Sequence, residues 1–303
     1  LRRTGWRTVQ TAAKINLHLQ VGPRDKSGYH AVDTVLQTVD WGDRLRVGPA
    51  SPGRLTLEVT GTEAAPVGEE NLVYRAARGV LEAAHRRGRD PRQGVRIQLH
   101  KRVPAGAGLG GGSGDAGATL LLLNRHLGLG LSRRVLLSVA RRLGADVPFF
   151  LCGGLARGRG RGDHVRPLAP LPRLPVLVVV PRLRLSTAEV YKRFDEISLT
   201  STHHGFRMRP PVGSLRGRRP VSGFVNDLER PVFERHPVLA ETKADLRDAG
   251  ALVAGLSGSG SALFGVFGSL PRLDGLLKRW RRRGWEIHYC HTVDQEGYGA
   301  RFR

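Results

Sequence analysis

Cysteine, methionine and lysine are scarce in this 303-residue chain, and long apolar runs are missing. Two cysteines, Cys152 and Cys290, are too few for a disulfide framework or a zinc site, so cytoplasmic residence is the expectation. The longest apolar runs, Val176 to Val180 and Leu120 to Leu123, fall far short of the roughly 20 residues that a membrane-spanning helix requires. No association with membrane is expected. The first ten residues carry Arg2, Arg3 and Arg7 with no apolar stretch behind them, so no secretory signal is read. Lysine scarcity bears on the charge: of 49 basic residues only six are lysine and 43 are arginine, against 26 acidic residues, for a net charge of +23. Such a balance ordinarily points to nucleic acid, an anionic membrane surface or small anionic ligands. An excess confined to arginine, in a chain also rich in glycine, fits a coding bias better than selection for a polyanion.

What is present suffices for a folded protein. Hydrophobic residues make up 40% of the chain, and its length suits one large or two ordinary domains. Residues 14–21 alternate, with Ile15, Leu17, Leu19 and Val21 on one face and Lys14, Asn16, His18 and Gln20 on the other. That pattern predicts a half-buried strand whose polar face is available to a ligand. Further strands are predicted at 32–39, 44–47, 55–59 and 95–99. Apolar residues at helical spacing follow Asn71, which sits at an N-cap, and Ser132 is placed to cap a second helix that Gly144 ends. A helix is expected to begin at Asp115, and a hairpin or loop at 157–162.

Proline-flanked Val176 to Val180 is the best buried strand of the second half, and the composition shift before it puts a domain boundary there, giving residues 1–169 and 170–303. Beyond it the chain predicts helices at 186–194, 236–249 and 270–282, strands at 262–267 and 286–290, and a glycine turn at 255–260. Residues 200–220 show no periodicity and read as a mobile surface loop. The whole is an α+β protein of two domains.

The strongest local signal is PAGAGLGGGSG, Pro104 to Gly114, between a strand and a helix and with six glycines from Gly106 to Gly114. Such a loop aims backbone N–H groups and a helix dipole at a phosphate. Gly106, Gly108 and Gly111 satisfy G-x-G-x-x-G, but no strand ending in an acidic residue follows about 20 residues later, as a dinucleotide-binding unit requires. Gly114-Asp115 supplies neither the lysine nor the hydroxyl of a Walker A loop.

Pro104 to Ser113 resembles the ATP-binding loop of the GHMP kinase superfamily. Within it, AAKINLHL with GYH (Ala12 to Leu19, Gly28 to His30), RLGADVPFFL (Arg142 to Leu151) and LSGSGSALFG (Leu256 to Gly265) resemble the 4-diphosphocytidyl-2-C-methyl-D-erythritol kinases. The likeness runs in order over nearly the whole chain. It implies an N-terminal ATP-binding domain like ribosomal protein S5 and a ferredoxin-like C-terminal domain. It also implies ATP-dependent phosphorylation of the substrate's 2-hydroxyl in the non-mevalonate route to isopentenyl diphosphate, with magnesium expected as the nucleotide's counterion and its ligands unassigned. By the same resemblance Asp146 is the base and Lys14 its charge partner. Residues Pro104, Ala105, Gly106, Ala107, Gly108, Leu109, Gly110, Gly111, Gly112, Ser113 and Gly114 bind ATP, with Asn71 and Lys101 near its base. Tyr29, His30 and Tyr191 hold the cytidine end of a small cytidine diphosphate substrate, joined by Asn16 and Thr187. The alternatives are another kinase of the superfamily, acting on homoserine, mevalonate or a sugar, and a basic nucleic-acid-binding protein. No specific nucleic acid partner is expected, because the arginines are scattered and no RNA-binding aromatic signature accompanies them. The chain reads as a monomer or homodimer. Four positions depart from the family pattern: Ala12, His18, Gly114 in place of a second loop serine, and Gly117, a glycine inside a helix that costs ~1 kcal/mol in propensity.

Overall fold

The computed structural model describes residues 5–25, 28–61, 65–89, 93–198, 212–217 and 221–302. Twelve strands and eight α-helices are found among them. The first half holds β1 (Arg7–Gln10), β2 (Ala13–Arg24), β3 (His30–Val39), β4 (Arg44–Ala50), β5 (Leu55–Gly61), α1 (Leu72–His85), β6 (Gly94–Lys101), α2 (Gly111–His126), α3 (Arg133–Leu143), β7 (Leu155–Arg159) and β8 (His164–Pro167). The second holds β9 (Pro175–Val180), α4 (Thr187–Ser198), α5 (Glu229–Arg235), α6 (Pro237–Asp248), β10 (Val253–Leu256), β11 (Leu263–Val266), α7 (Asp274–Arg282), β12 (Glu286–His291) and α8 (Gln295–Ala300).

These strands make three four-stranded sheets, ordered β1-β4-β6-β5, β2-β3-β7-β8 and β10-β11-β9-β12. Only the β5–β6 pair is parallel. One core lies between the first sheet and α1, α2 and α3, with Leu45, Ile97, Val80, Leu120 and Phe149 inside it. A second core joins the other two sheets through Ile15, Val35, Val176, Val178 and Phe264, and a third seats α4 to α7 on the far face of the last sheet through Leu177, Val179 and Trp280. Alternate residues of β9 thus enter different cores, which explains why its sequence is continuously apolar rather than alternating.

Local chemistry accounts for the helix starts. The Asn71 side chain accepts from Val73 N and caps α1 as its sequence position predicts. Ser132 occupies the N-cap of α3, but its hydroxyl makes no cap hydrogen bond. The second helix starts at Gly111, four residues before the expected Asp115, so the end of the glycine stretch is its first turn. Buried residues lie all round α2, the pattern of a helix sunk in a core.

The half-buried reading of β2 is corrected: every residue from Ala13 to Val21 is buried, the polar ones included. The segment preceding α5 runs along the edge of β2, pairing Leu19 with Asn226 and giving its Val225 N–H to His18 Nδ1. Of the loop expected at 200–220, residues 212–217 form a short 3-10 helix, and the rest lies outside the described residues.

Candidate active site

The glycine loop is built by backbone demands that other residues meet poorly. Gly106, Gly108 and Gly110 hold φ of 73°, 77° and 66°, in the left-handed region. At Gly108 a Cβ would lie 1.9 Å from the Ser257 carbonyl, so the loop rests directly on the turn between β10 and β11. Ser257 Oγ donates to the Gly108 carbonyl at 2.8 Å and Ala262 N to that of Ala107 at 3.1 Å, locking two glycine motifs together. Gly110, the N-cap of α2, offers no side chain to its first N–H groups, which leaves them for an anion.

A cavity of about 390 Å³ opens against this loop. Every residue from Pro104 to Ser113 except Ala107 lines it, with Asn71 and Lys101 on the wall. Ala107 is buried and turned to Ala262. Gly114 also lies off the cavity: a Cβ there would be 2.2 Å from the Ala12 carbonyl, so the missing hydroxyl is a packing matter between α2 and the residue before β2. Lys101 lines the wall with its ammonium already committed, bonding to Asp43 and, at 2.7 Å, to Asp115 Oδ2. Thr11 Oγ1 donates to the other Asp115 oxygen at 2.8 Å. Burial pushes the Asp115 carboxyl up to about 7, opposed by Lys101 and Thr11 and aided by the Asp43 charge. Burial also pulls the Lys101 ammonium down, but two carboxylates outweigh it and hold the group above its ordinary value. This buried set braces the floor under the loop, and sequence spacing gave no sign of Asp43 or Thr11.

On the far side of the loop β2 presents Lys14. Its Nζ donates to the Gly108 carbonyl at 2.6 Å and to Asn16 Oδ1, and Asn16 Nδ2 donates to Thr34 Oγ1 at 2.9 Å. Asp146, in the turn after α3, brings Oδ2 to 3.8 Å from Lys14 Nζ and keeps a carboxylate that is 36% exposed. Burial lowers the Lys14 ammonium below the ordinary lysine range, and the Asp146 charge opposes the shift. Two glycines make the approach possible. At Gly258 a Cβ would stand 3.3 Å from Lys14 Nζ, and at Gly117 one would stand 2.5 Å from Cβ of Phe150, in the 3-10 turn that follows Asp146.

The candidate cytidine residues divide. His30 and Tyr191 meet with ring centroids 5.2 Å apart, and Thr187 Oγ1 lies 2.9 Å from Ser259 Oγ, tying α4 to the glycine turn. Burial, then the Asp146 charge, pushes the Tyr191 hydroxyl up to about 12, so α4 brings this phenol into the field of Asp146. Tyr29 stays 53% exposed, with the Arg161 guanidinium 4.3 Å from its ring centroid.

A strand, glycine loop and helix beside a lysine–aspartate pair suit phosphoryl transfer, and known kinases resemble the chain. Residues 71–154 match the GHMP kinases N terminal domain and residues 215–286 the GHMP kinases C terminal domain. A 4-diphosphocytidyl-2-C-methyl-D-erythritol kinase of Pelotomaculum thermopropionicum is 39% identical over 95% of this chain and 98% of that protein. Another, of Thermus thermophilus, is 42% identical over 84% of this chain and 85% of its own length. A crystal structure of 4-(cytidine 5'-diphospho)-2C-methyl-D-erythritol kinase superposes with a TM-score of 0.76 at 37% identity, covering 94% of this chain and 99% of that one. Homoserine kinase from Cytophaga hutchinsonii shares the fold at 20% identity and a TM-score of 0.66. The chain belongs to the 4-diphosphocytidyl-2-C-methyl-D-erythritol kinase family of GHMP kinases.

Proposed function

We infer that the protein transfers the γ-phosphoryl group of ATP to the 2-hydroxyl of 4-diphosphocytidyl-2-C-methyl-D-erythritol, releasing ADP and the 2-phosphate. The observation that carries the reading is the Lys14–Asp146 pair at 3.8 Å, held against the same glycine loop that lines the nucleotide-sized cavity. Phosphoryl transfer to an alcohol is largely positioning and charge stabilisation, with a base for the hydroxyl proton. Asp146 is that base: it stands 3.8 Å from the Lys14 ammonium, and its exposed oxygens leave room for a substrate hydroxyl. Lys14 stabilises charge developing on the transferred group, from a buried position where a cation acts strongly. The N–H groups at the start of α2 hold phosphate oxygens, and Asn71 and Lys101 border the nucleotide's base.

Magnesium fits this site as a companion of the nucleotide. Among the described residues no group of three metal-ligating acids, histidines or cysteines is found, and Asp43 and Asp115 are spent on Lys101. The ion takes one or two protein oxygens and otherwise phosphates and water. Ser113 and Glu70, which line the cavity, are the residues that would hold it. When bound it neutralises phosphate charge. Tyr29, His30 and Tyr191, with Asn16 and Thr187, hold the substrate's cytidine end. No helix among the described residues is long and apolar enough to cross a membrane.

The test is ADP release by the full-length protein with ATP and magnesium, across the cytidyl alcohol, homoserine, mevalonate and a sugar alcohol. Turnover of the cytidyl alcohol alone is expected; turnover of another member in its place would refute the substrate.

A further inference from the structure

Residues three and four apart share a helix face, so Tyr191, Phe194 and Asp195 form one edge of α4. All three meet a single side chain, His30, the first residue of β3. Its ring lies 5.2 Å from that of Tyr191 at 34° and 5.9 Å from that of Phe194 at 83°, and its Nε2 lies 3.0 Å from Asp195 Oδ1. The opposite nitrogen, Nδ1, is 2.8 Å from the Gly22 carbonyl, an acceptor only, so Nδ1 carries a proton. Arg24 closes the set: its Nε is 3.1 Å from His30 Nε2, and its Nη2 pairs with the second oxygen of Asp195. Nε2 therefore has a partner in either protonation state, accepting from Arg24 when neutral and donating to Asp195 when charged. The imidazole, only 6% exposed, is fixed in position, tilt and tautomer by groups from β2 and α4.

We propose that Asp195 is a positioning residue for the cytidine end of the substrate, acting through His30. This rests on the cytidyl reading of the site. The carboxylate holds the imidazole on one side and the Arg24 guanidinium on the other, so it sets both the plane of His30 and the docking of α4, and with α4 the ring of Tyr191. Arg24 is about half exposed, and without the carboxylate its guanidinium turns to water. The imidazole then loses two partners at once. None of Arg24, His30, Tyr191 and Asp195 lines the nucleotide cavity, so the effect of loosening here falls on one substrate and not the other.

Steady-state kinetics on the full-length protein, varying the cytidyl alcohol and ATP in turn, tests this. Asp195→Asn keeps the shape of the side chain and removes its charge. Its KM for the cytidyl alcohol is expected to rise about 10-fold, with kcat and the KM for ATP within about twofold of wild type. Arg24→Gln shifts the same constant in the same direction by less, and Arg193→Gln, on another face of α4, leaves it unchanged. Titration with CDP, followed by calorimetry, is expected to show the same weakening for Asp195→Asn. An unchanged KM for the cytidyl alcohol in both Asp195→Asn and Asp195→Ala overturns the assignment, as does an equal rise in the KM for ATP. Failure of the substrate reading is a separate result, seen in the wild-type protein when it leaves the cytidyl alcohol untouched.

Discussion

Lys14 Nζ and Asp146 Oδ2 stand 3.8 Å apart across the foot of the glycine loop, the lysine buried and the carboxylate open. At that distance the pair attracts without a direct hydrogen bond, the arrangement in which we propose that the carboxylate takes the substrate proton. Asp146→Asn is expected to lower kcat by roughly 10²- to 10⁴-fold, the usual worth of a general base, with an unchanged circular dichroism spectrum. Wild-type turnover in that variant would remove the base assignment.

Lys14 carries a second prediction. Because burial lowers its ammonium, the folded state favours the uncharged amine more than the unfolded chain does. A group shifted down in this way contributes stability above its unfolded value, and that contribution is lost as pH falls through the folded value. At neutral pH the charged form is therefore a burden on the fold. Lys14→Met removes that burden but leaves Asn16 Oδ1 without its donor, so its melting temperature is expected to stay within a few degrees of wild type while kcat drops by about 10² to 10³. In the wild type, the alkaline limb of kcat against pH is expected below the ordinary lysine range.

For Asp115 the sign is that of an acid raised on folding, to about 7. Its contribution is full below the unfolded value near 3.9 and is lost as pH rises through about 7. Urea midpoints of the wild type should decline between about pH 4 and pH 7 on this account. Asp115→Asn, which cannot titrate, should flatten that decline; equal slopes in the two proteins would count against the buried triad.

Gly117 sets local propensity against packing. Alanine there ought to gain ~1 kcal/mol in a free helix. In the folded protein its Cβ would stand 2.5 Å from that of Phe150, so Gly117→Ala is expected to cost about 1–3 kcal/mol in urea unfolding. A stabilised variant would show that the Phe150 turn yields easily.

Tyr298 reaches the same turn from the last helix. Its ring fills the space that Gly153 leaves, and its buried hydroxyl donates to the Phe150 carbonyl at 2.6 Å. Tyr298→Phe leaves that acceptor unpaired, at an expected cost of about 1–3 kcal/mol by urea titration.

These sites show how far the sequence could be read. The glycine loop, the Asn71 cap, the apolar β9 and the motif residues Lys14 and Asp146 were legible, because each depends on neighbours within a few positions or on a contiguous motif. Asp43, Tyr298 and Asp195 were not. Asp195 pairs with Arg24 from 171 positions away and Tyr298 meets Phe150 from 148, distances over which periodicity carries no signal. The polar edge of β2 misled for the same reason: alternation alone does not show that the 225–227 segment runs along it.

By itself, then, the sequence determined most of the elements, the glycine loop and the family, since all three are written in local spacing and backbone preference. The tertiary structure decided which charged groups are spent and which are free. Lys101 is taken by Asp43 and Asp115 beneath the loop, whereas Asp146 faces outward beside Lys14. That difference arises from burial and chain closure, which bring carboxylates from separate strands and helices to one ammonium and leave another carboxylate at the surface of the site.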